Sequence, residues 1–344
     1  MAQYDGIFDR LGLRDWCDAD KTDGPMSMAQ LLAKAKGNDG VVEGPVLPFP
    51  SLDELHEACA KIGQTRDLTE GIEKGFLAIR AELKFFLDPL TQPLSWMLDA
   101  TLYLFEIAPW WFMIPLLIAV SWFVSRSAVV TGFVCAVLLV FGFVDHFDVA
   151  MQTLAIVFVC TSLSVVFGVP IGIGMSKSDT AQRIIVPILD LLQTLPTFVY
   201  LIPLIFLFSV TESKLYGIAI ILYAIVPVIR LTDLGIRLVD KDVVEASNAF
   251  GMNTWQKLMR VELPLAMPNI MAGVNQTIMM SLAMVVIASL VSAPGLGVLV
   301  LRGIRNLELG VGIVAGIGIV LLAVILDRVS KAALSRIDKA RSVR

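Results

Sequence analysis

The chain has 344 residues, 56% of them hydrophobic and 17% charged, with a net charge of −4. Soluble domains average about 45–50% apolar and about 25% charged, which excludes an ordinary soluble enzyme for most of the length. The imbalance is local: residues 1–93 carry 16 acidic and 10 basic side chains, and the rest carry 15 and 17.

An acidic polar region, 1–93, therefore precedes a membrane part. In residues 1–50 charges alternate with Gly and Pro, which reads as irregular chain with a short helix at Met28 to Lys36. The N-terminus MAQYDGIFDRLGLRDW has neither the basic nor the apolar segment of a secretory signal. Ser51 suits a helix N-cap, with Asp53 and Glu54 in the first turn. From Leu52 to Leu87, apolar residues such as Leu68, Ile72, Phe76, Ile79, Leu83 and Phe86 recur mostly three or four apart, an amphipathic helix pattern. Such a helix lies flat in a membrane interface or packs in a small soluble unit, and the pattern leaves both open.

Seven apolar runs follow: Ile107 to Val124, Ala128 to Val144, Val149 to Met175, Ile184 to Val210, Tyr216 to Ile229, Met267 to Val291 and Val311 to Leu326. The first is entered through Pro109-Trp110-Trp111, and Trp favours the interface. The fourth carries Pro187, Pro196 and Pro203, and the fifth has room to continue to Leu238. The runs are continuously apolar rather than alternating, so they predict helices and not a barrel. The expected fold class is all-α: a polytopic membrane bundle of about seven spans. If the spans alternate, 14 Lys and Arg fall at one set of ends and 3 at the other. Basic residues collect on the cytoplasmic side. That places 240–264 and the basic tail 333–344 inside and, with seven spans, the N-terminal region outside.

Catalytic constellations are missing from the apolar part. Cys17, Cys59, Cys135 and Cys160 have no metal or redox spacing, and His56 and His146 stand alone. The run from Gly172 to Ser178 imitates a nucleotide loop but has Ser176 where Gly must precede Lys177. No metal or nucleotide is expected on this chain, and nothing points to nucleic acid. Among charged residues, Asp190 and Asp327 are expected to reach Arg183 and Arg328, and Asp233 is internal only if the fifth span runs on. The polar groups Gln193, Thr194, Thr197 and Tyr200, with Phe198 beside them, and Asn275-Gln276 are candidates to line a path; the alternative is hydrogen bonding that only holds helices together. Phe198, Tyr200 and Tyr223 are the aromatic candidates for a cation cage, with apolar packing as the plainer role.

The one long polar segment between apolar runs is DKDVVEASNAFGMNTWQKLMRVELPLAMP, Asp240 to Pro268. Glu245 to Phe250 starts a short helix bearing small Ala246, Ser247 and Ala249. Gly251 suits a left-handed turn. Asn253-Thr254 caps a second short helix, Trp255 to Val261, and Pro264 opens the next span. A polar helix–Gly–helix between two spans lies at the membrane surface, where a soluble partner can grip it.

The spacing Glu245-Ala246-Ser247, Gly251, Val261, Leu263-Pro264 resembles the cytoplasmic loop motif of ABC importer permeases, with Ser247 and Val261 as mild departures. The stretches GIRLVDKDVVEASNAFG, RVELPLAMPNIMAGVNQTIMMSLAMVVIASLV and LDLLQTLPTFVYLIPLIFLF resemble the glycine betaine/proline betaine branch of that family. The resemblance covers about residues 107 to 332. It implies a permease core at 149–332 with an importer-type five-helix arrangement, and accessory helices at 94–148. It implies a multi-pass protein of a prokaryotic inner membrane. It also implies pairing with a second copy and two cytoplasmic ATPase subunits that hold the ATP and magnesium. A separate external binding protein for a trimethylammonium-type solute completes the set. Glu245, Ala246, Ser247, Phe250, Gly251, Leu263 and Pro264 would couple to the ATPase. One departure is Ser292-Ala293-Pro294, where the resemblance leads one to expect Gly near 294. A stand-alone ion-coupled carrier is the competing class; it calls for ionisable residues at mid-membrane and inverted repeats, and neither is apparent.

Overall fold

The structure, a computed structural model, describes residues 10–12 and 65–342. The expected helix at Met28 to Lys36, the Ser51 cap, Cys17, Cys59 and His56 lie outside the described residues. The chain divides into two compact units, Met1–Ala81 and Glu82–Arg344.

Every regular element among the described residues is helical. The helices are α1 (Thr65–Ile107), α2 (Trp110–Ser125), α3 (Ala128–Phe143), α4 (Phe147–Lys177), α5 (Asp179–Thr194), α6 (Leu201–Leu207), α7 (Ser213–Arg237), α8 (Lys241–Ala249), α9 (Thr254–Lys257), α10 (Leu263–Ala288), α11 (Leu296–Arg305) and α12 (Leu309–Ser342). Four long helices, α4, α7, the stretch Thr254–Val291 and Leu309–Ala333, are long and apolar enough to cross a membrane. Two further candidates are bent pairs, α1 with α2 at 115° and α5 with the segment Thr197–Leu207 at 106°. Helix α3 is apolar but shorter.

Several boundaries differ from the sequence reading. The fourth apolar run is not one straight span. Leu195, ahead of Pro196, is extended (φ −64°, ψ 133°), as a residue before proline is driven to be. A 3-10 turn, Thr197–Tyr200, then redirects the chain. The fifth run does continue, to Arg237. Helix α1 does not stop at Leu87 but runs on through Pro89 and Pro93 to Ile107. An interior proline costs a helix about 3 kcal/mol. Packing of the following turns offsets that cost: Leu94 and Leu98 cover Gly217 at the start of α7. Asp88 accepts from the Lys214 Nζ at 2.7 Å, and Ser213 donates to Asp99. Lys214 is only 4% exposed; it also pairs with Glu212 at 2.7 Å and lies 5.1 Å from the Phe208 ring.

Helix α7 is the hub, packed against α4 on one side and α10 on another. Glycines set the separation. A Cβ on Gly172 of α4 would lie 2.7 Å from the Ile229 carbonyl oxygen and 2.6 Å from the Thr232 Cβ. One on Gly168 would meet the Val228 side chain at 2.4 Å, and one on Gly273 of α10 the Val228 Cα at 3.0 Å. Gly168 and Gly172 form the small-xxx-small stripe that lets membrane helices approach closely. At this three-helix contact Thr161 Oγ1 of α4 also donates to Ser281 Oγ of α10 at 3.1 Å. Cys135 is half-buried and Cys160 buried as a small apolar group.

The turn before α11 resolves the departure at Ser292-Ala293-Pro294. Ser292 (φ 70°) and Gly295 (φ 119°) carry its left-handed positions. The Thr153 Oγ1 receives the Leu296 amide at 2.8 Å, and a Cβ at Gly295 would lie 2.4 Å from that oxygen. The glycine the turn needs is one place later than expected.

Gly172→Val is expected to cost about 1–3 kcal/mol by forcing α4 off α7, seen as a lower midpoint of thermal unfolding in detergent. Gly174→Val, on the same helix with open space at its Cβ, is expected to leave the midpoint nearly unchanged.

Candidate functional site

The polar segment between α7 and α10 folds as two short helices around a glycine. Asp240 caps α8, its carboxylate accepting from the Asp242 amide at 2.9 Å. At the far end the Gly251 amide reaches the Asn248 carbonyl at 2.9 Å and the Met252 amide the Ser247 carbonyl at 3.2 Å. These two bonds define a Schellman ending, and Gly251 supplies its left-handed residue at φ 72°. Asn253 and Gln256 then form a reciprocal capping box, with bonds of 2.8 and 3.1 Å. The second helix does not end at Val261, because Thr254–Val291 is one continuous helical stretch. After α9 the chain passes through a π-helical turn, Leu258–Glu262, and enters α10 with Pro264 in its first turn.

This geometry sorts the residues singled out from sequence. Glu245, Ala246, Phe250 and Gly251 are exposed, and Trp255 stands out beside them. Phe250 is 84% exposed, an unusual position for a Phe on a polar surface loop. Ser247 is buried and donates to the Val244 carbonyl at 2.6 Å. Leu263 packs onto the small core of Ile236, Leu258, Ala266 and Ile270, and Pro264 is half-buried. One group thus faces outward while Ser247 and Leu263 hold the loop to the bundle.

Beneath the loop is a polar knot that sequence reasoning missed. The Arg237 guanidinium donates to Asp233 at 2.9 Å, to Asp179 at 2.8 Å and to the Met175 carbonyl at 2.8 Å. Gln182 donates to the other Asp233 oxygen at 2.8 Å. Lys177, the last residue of α4, pairs with Glu262, which is only 5% exposed. Arg237 and Gln182 join α4, α5 and α7, and the Lys177–Glu262 pair joins α4 to the turn that carries the loop into α10. Two signals were in the sequence: Asp233 lies four residues before Arg237, and Glu262 interrupts the apolar text of Val261-Glu262-Leu263.

The charged residues inside the helices find partners other than those expected. Asp190 pairs with Arg230 of α7, not with Arg183. Asp327 pairs with Lys331 at 2.9 Å, not with Arg328. Asp233 is internal because α7 runs on. Of the path candidates, Asn275 donates to Asp327 at 3.0 Å and accepts from Ser330 at 2.8 Å. Its amide thus ties α10 to α12. Gln193, Thr194, Phe198 and Gln276 are exposed, and Thr197 is half-buried. Tyr200 is buried, and its hydroxyl has no hydrogen-bond partner among the described residues. The turn Thr197–Tyr200 packs against α10, so both polar groups sit on neighbouring elements. Phe198 points outward while Tyr200 points in, so the two do not form one side of a closed cage.

A bundle of long apolar helices, with Asp190, Asp233 and Asp327 each paired to a cation and one exposed polar handle, defines a polytopic membrane protein of the transport-permease class. The chain belongs to the family described as binding-protein-dependent transport system inner membrane component, which matches residues 164–339. It is similar to the glycine betaine transport system permease protein OpuAB of Bacillus subtilis, 45% identical over 214 residues, covering 62% of this chain and 75% of that one. It is 40% identical over 252 residues to the glycine betaine/carnitine transport permease protein GbuB of Listeria monocytogenes, covering 72% and 88%. With the glycine betaine/proline betaine transport system permease protein ProW of Escherichia coli it shares 48% identity over 196 residues, covering 57% of this chain and 55% of ProW. Among solved structures, the inward-facing MetNI methionine ABC transporter matches 54% of this chain and 94% of its own at 20% identity and a TM-score of 0.48.

Lys177→Leu strands the buried Glu262 carboxylate and is expected to destabilise more than the double variant Lys177→Leu/Glu262→Leu. The coupling energy expected from a double-mutant cycle is about 0.5–3 kcal/mol, measured by thermal unfolding of the four proteins.

Proposed function

We propose that the chain is the membrane-spanning subunit of an importer for a compatible solute with a quaternary or trimethylated ammonium head, such as glycine betaine. What carries the reading is the pairing of the exposed loop with the relatives, which are named as glycine betaine permeases. ATP and magnesium belong to a separate cytoplasmic ATPase, and an extracytoplasmic binding protein delivers the solute. This sidedness puts the loop, the knot and the C-terminus in the cytoplasm and Glu212, Lys214 and Asp88 at the outer end.

Glu245, Ala246, Phe250 and Gly251 then form the surface that seats in a groove of the ATPase. Phe250 and Trp255 supply apolar anchors of the kind that dominate interfaces. When the ATPase closes on nucleotide it favours one position of the loop over another, and the permease shifts between inward- and outward-facing states. A partner moves such an equilibrium only by its differential affinity for the two states. The knot makes the loop an effective handle, because Lys177, Arg237 and Glu262 transmit its displacement to α4, α5 and α7 without slack.

Two copies enclose the path. Gln193, Thr194, Phe198 and Gln276 are exposed on one chain, and a second copy gives those polar groups a protein-lined, wetted surface instead of lipid. The orphan Tyr200 hydroxyl fits the same reading, since a buried donor without a partner calls for water or a ligand. The ion-coupled carrier is disfavoured: the acids within the helices are committed to Arg230, Arg237 and Lys331.

Gly251→Asp tests the handle. Nothing lies within 4 Å of a Cβ at this position, and Asp tolerates a left-handed backbone better than most residues. The variant is expected to insert normally and to lose at least about tenfold in affinity for the ATPase, equivalent to about 1.4 kcal/mol, measured by co-purification and by ATP-driven uptake in vesicles. Normal uptake would refute the assignment.

A further inference from the structure

We propose that this protein holds one phospholipid, by its acyl chain, in an apolar cleft between the N-terminal helices and the transport core. The cleft has a volume of about 670 Å³. Phe112 and Ser121 of α2, Leu154 and Ser162 of α4, and Leu322 and Val329 of α12 mark its extent. The cleft opens to its surroundings and its lining is almost wholly apolar, so in a membrane it does not hold water. Something apolar fills it.

The dimensions identify the occupant. From Phe112 to Ser121 along α2 is nine residue steps, about 14 Å at 1.5 Å per residue. Half of a hydrocarbon core about 30 Å thick is about 15 Å. The cleft is therefore one leaflet deep, and the helices that line it are bathed in lipid. Its polar content is small. Thr161 already donates to Ser281. Ser121, 3% exposed, lines the cleft with a hydroxyl that has no partner among the described residues.

Charge marks which end takes the headgroup. Arg126 follows Ser121 on α2, and Arg328 adjoins Val329 on α12. If the seven apolar runs alternate across the membrane, α2 and α12 run in the same direction and both cations stand at one end of the cleft. Both are exposed. Neither makes an ion pair among the described residues, and Arg126 instead lies 5.5 Å over the Phe123 ring. Two exposed guanidinium groups, Arg126 clear of any carboxylate and Arg328 feeling only the charge of the neighbouring Asp327, stand beyond a greasy slot one leaflet deep and fit a phosphodiester.

The test uses the full chain reconstituted in phosphatidylethanolamine–phosphatidylglycerol vesicles containing a phosphatidylglycerol with a mid-chain diazirine. After irradiation, mass spectrometry is expected to find labels concentrated between Phe112 and Ser121, between Leu154 and Thr161, and between Leu322 and Val329. Leu154→Trp fills the slot and is expected to lower labelling there by about tenfold, the equivalent of roughly two buried methylenes, while labelling of the exposed Phe143 region stays constant. Should that variant fail to fold, the surface change Arg126→Gln/Arg328→Gln serves instead, with a several-fold loss of cleft labelling expected. Equal labelling of the cleft and the Phe143 region would overturn the proposal, as would wild-type labelling in whichever variant folds. Labelling by diazirine palmitate alone, or efficient disulfide formation between two copies of Phe112→Cys, would overturn it by assigning the slot to a free fatty acid or to a second copy of this chain.

Discussion

The close approach of three helices is the constraint on which the rest depends. Helix α7 fits between α4 and α10 only because Gly168, Gly172 and Gly273 present no side chain where its Val228, Ile229 and Thr232 pass. In lipid there is little hydrophobic gain in bringing helices together, so van der Waals fit at such stripes supplies much of the association. Once α7 is fixed, its two ends are fixed too. One receives α1 through Lys214 and Gly217, and the other carries Arg237 to the foot of the exposed loop.

The ionised groups follow the same economy. A charge away from water is tolerated only when paired, and the internal acids here each meet a cation from a nearby turn or helix. The Lys177–Glu262 pair and the Arg237 cluster turn this requirement into mechanical continuity. Breaking either leaves a buried carboxylate, so the loop and the bundle move together or at considerable cost. The Asn275–Asp327–Ser330 set does the same between α10 and α12. An amide that looked like a candidate for a solute path is thus occupied in holding two helices.

Where the sequence reading fell short, the competing effect is identifiable. Helix α1 passes Pro89 and Pro93 because docking on α7 outweighs a local penalty. The bend at Pro196 was encoded locally by the proline, but three prolines lie in that run and only this one redirects the chain. Asp190 was assigned to Arg183 by nearness in sequence; in the fold Arg230, from another helix, is closer. The outward and inward faces of the loop were not separable either, since Ser247 and Ala246 are adjacent small residues and only packing tells them apart.

Apolar length, helical continuity, the charge bias between ends and the glycine-centred loop are properties of consecutive residues. The sequence by itself therefore determined that this is a helical membrane protein of the permease class with one polar handle. Which glycine faces which backbone, which acid meets which arginine, and which polar side chains stay exposed depend on residues 40 to 120 positions apart. Those choices were made only when the helices packed, because a pairing energy in a membrane exists only between groups that the fold has already brought within reach.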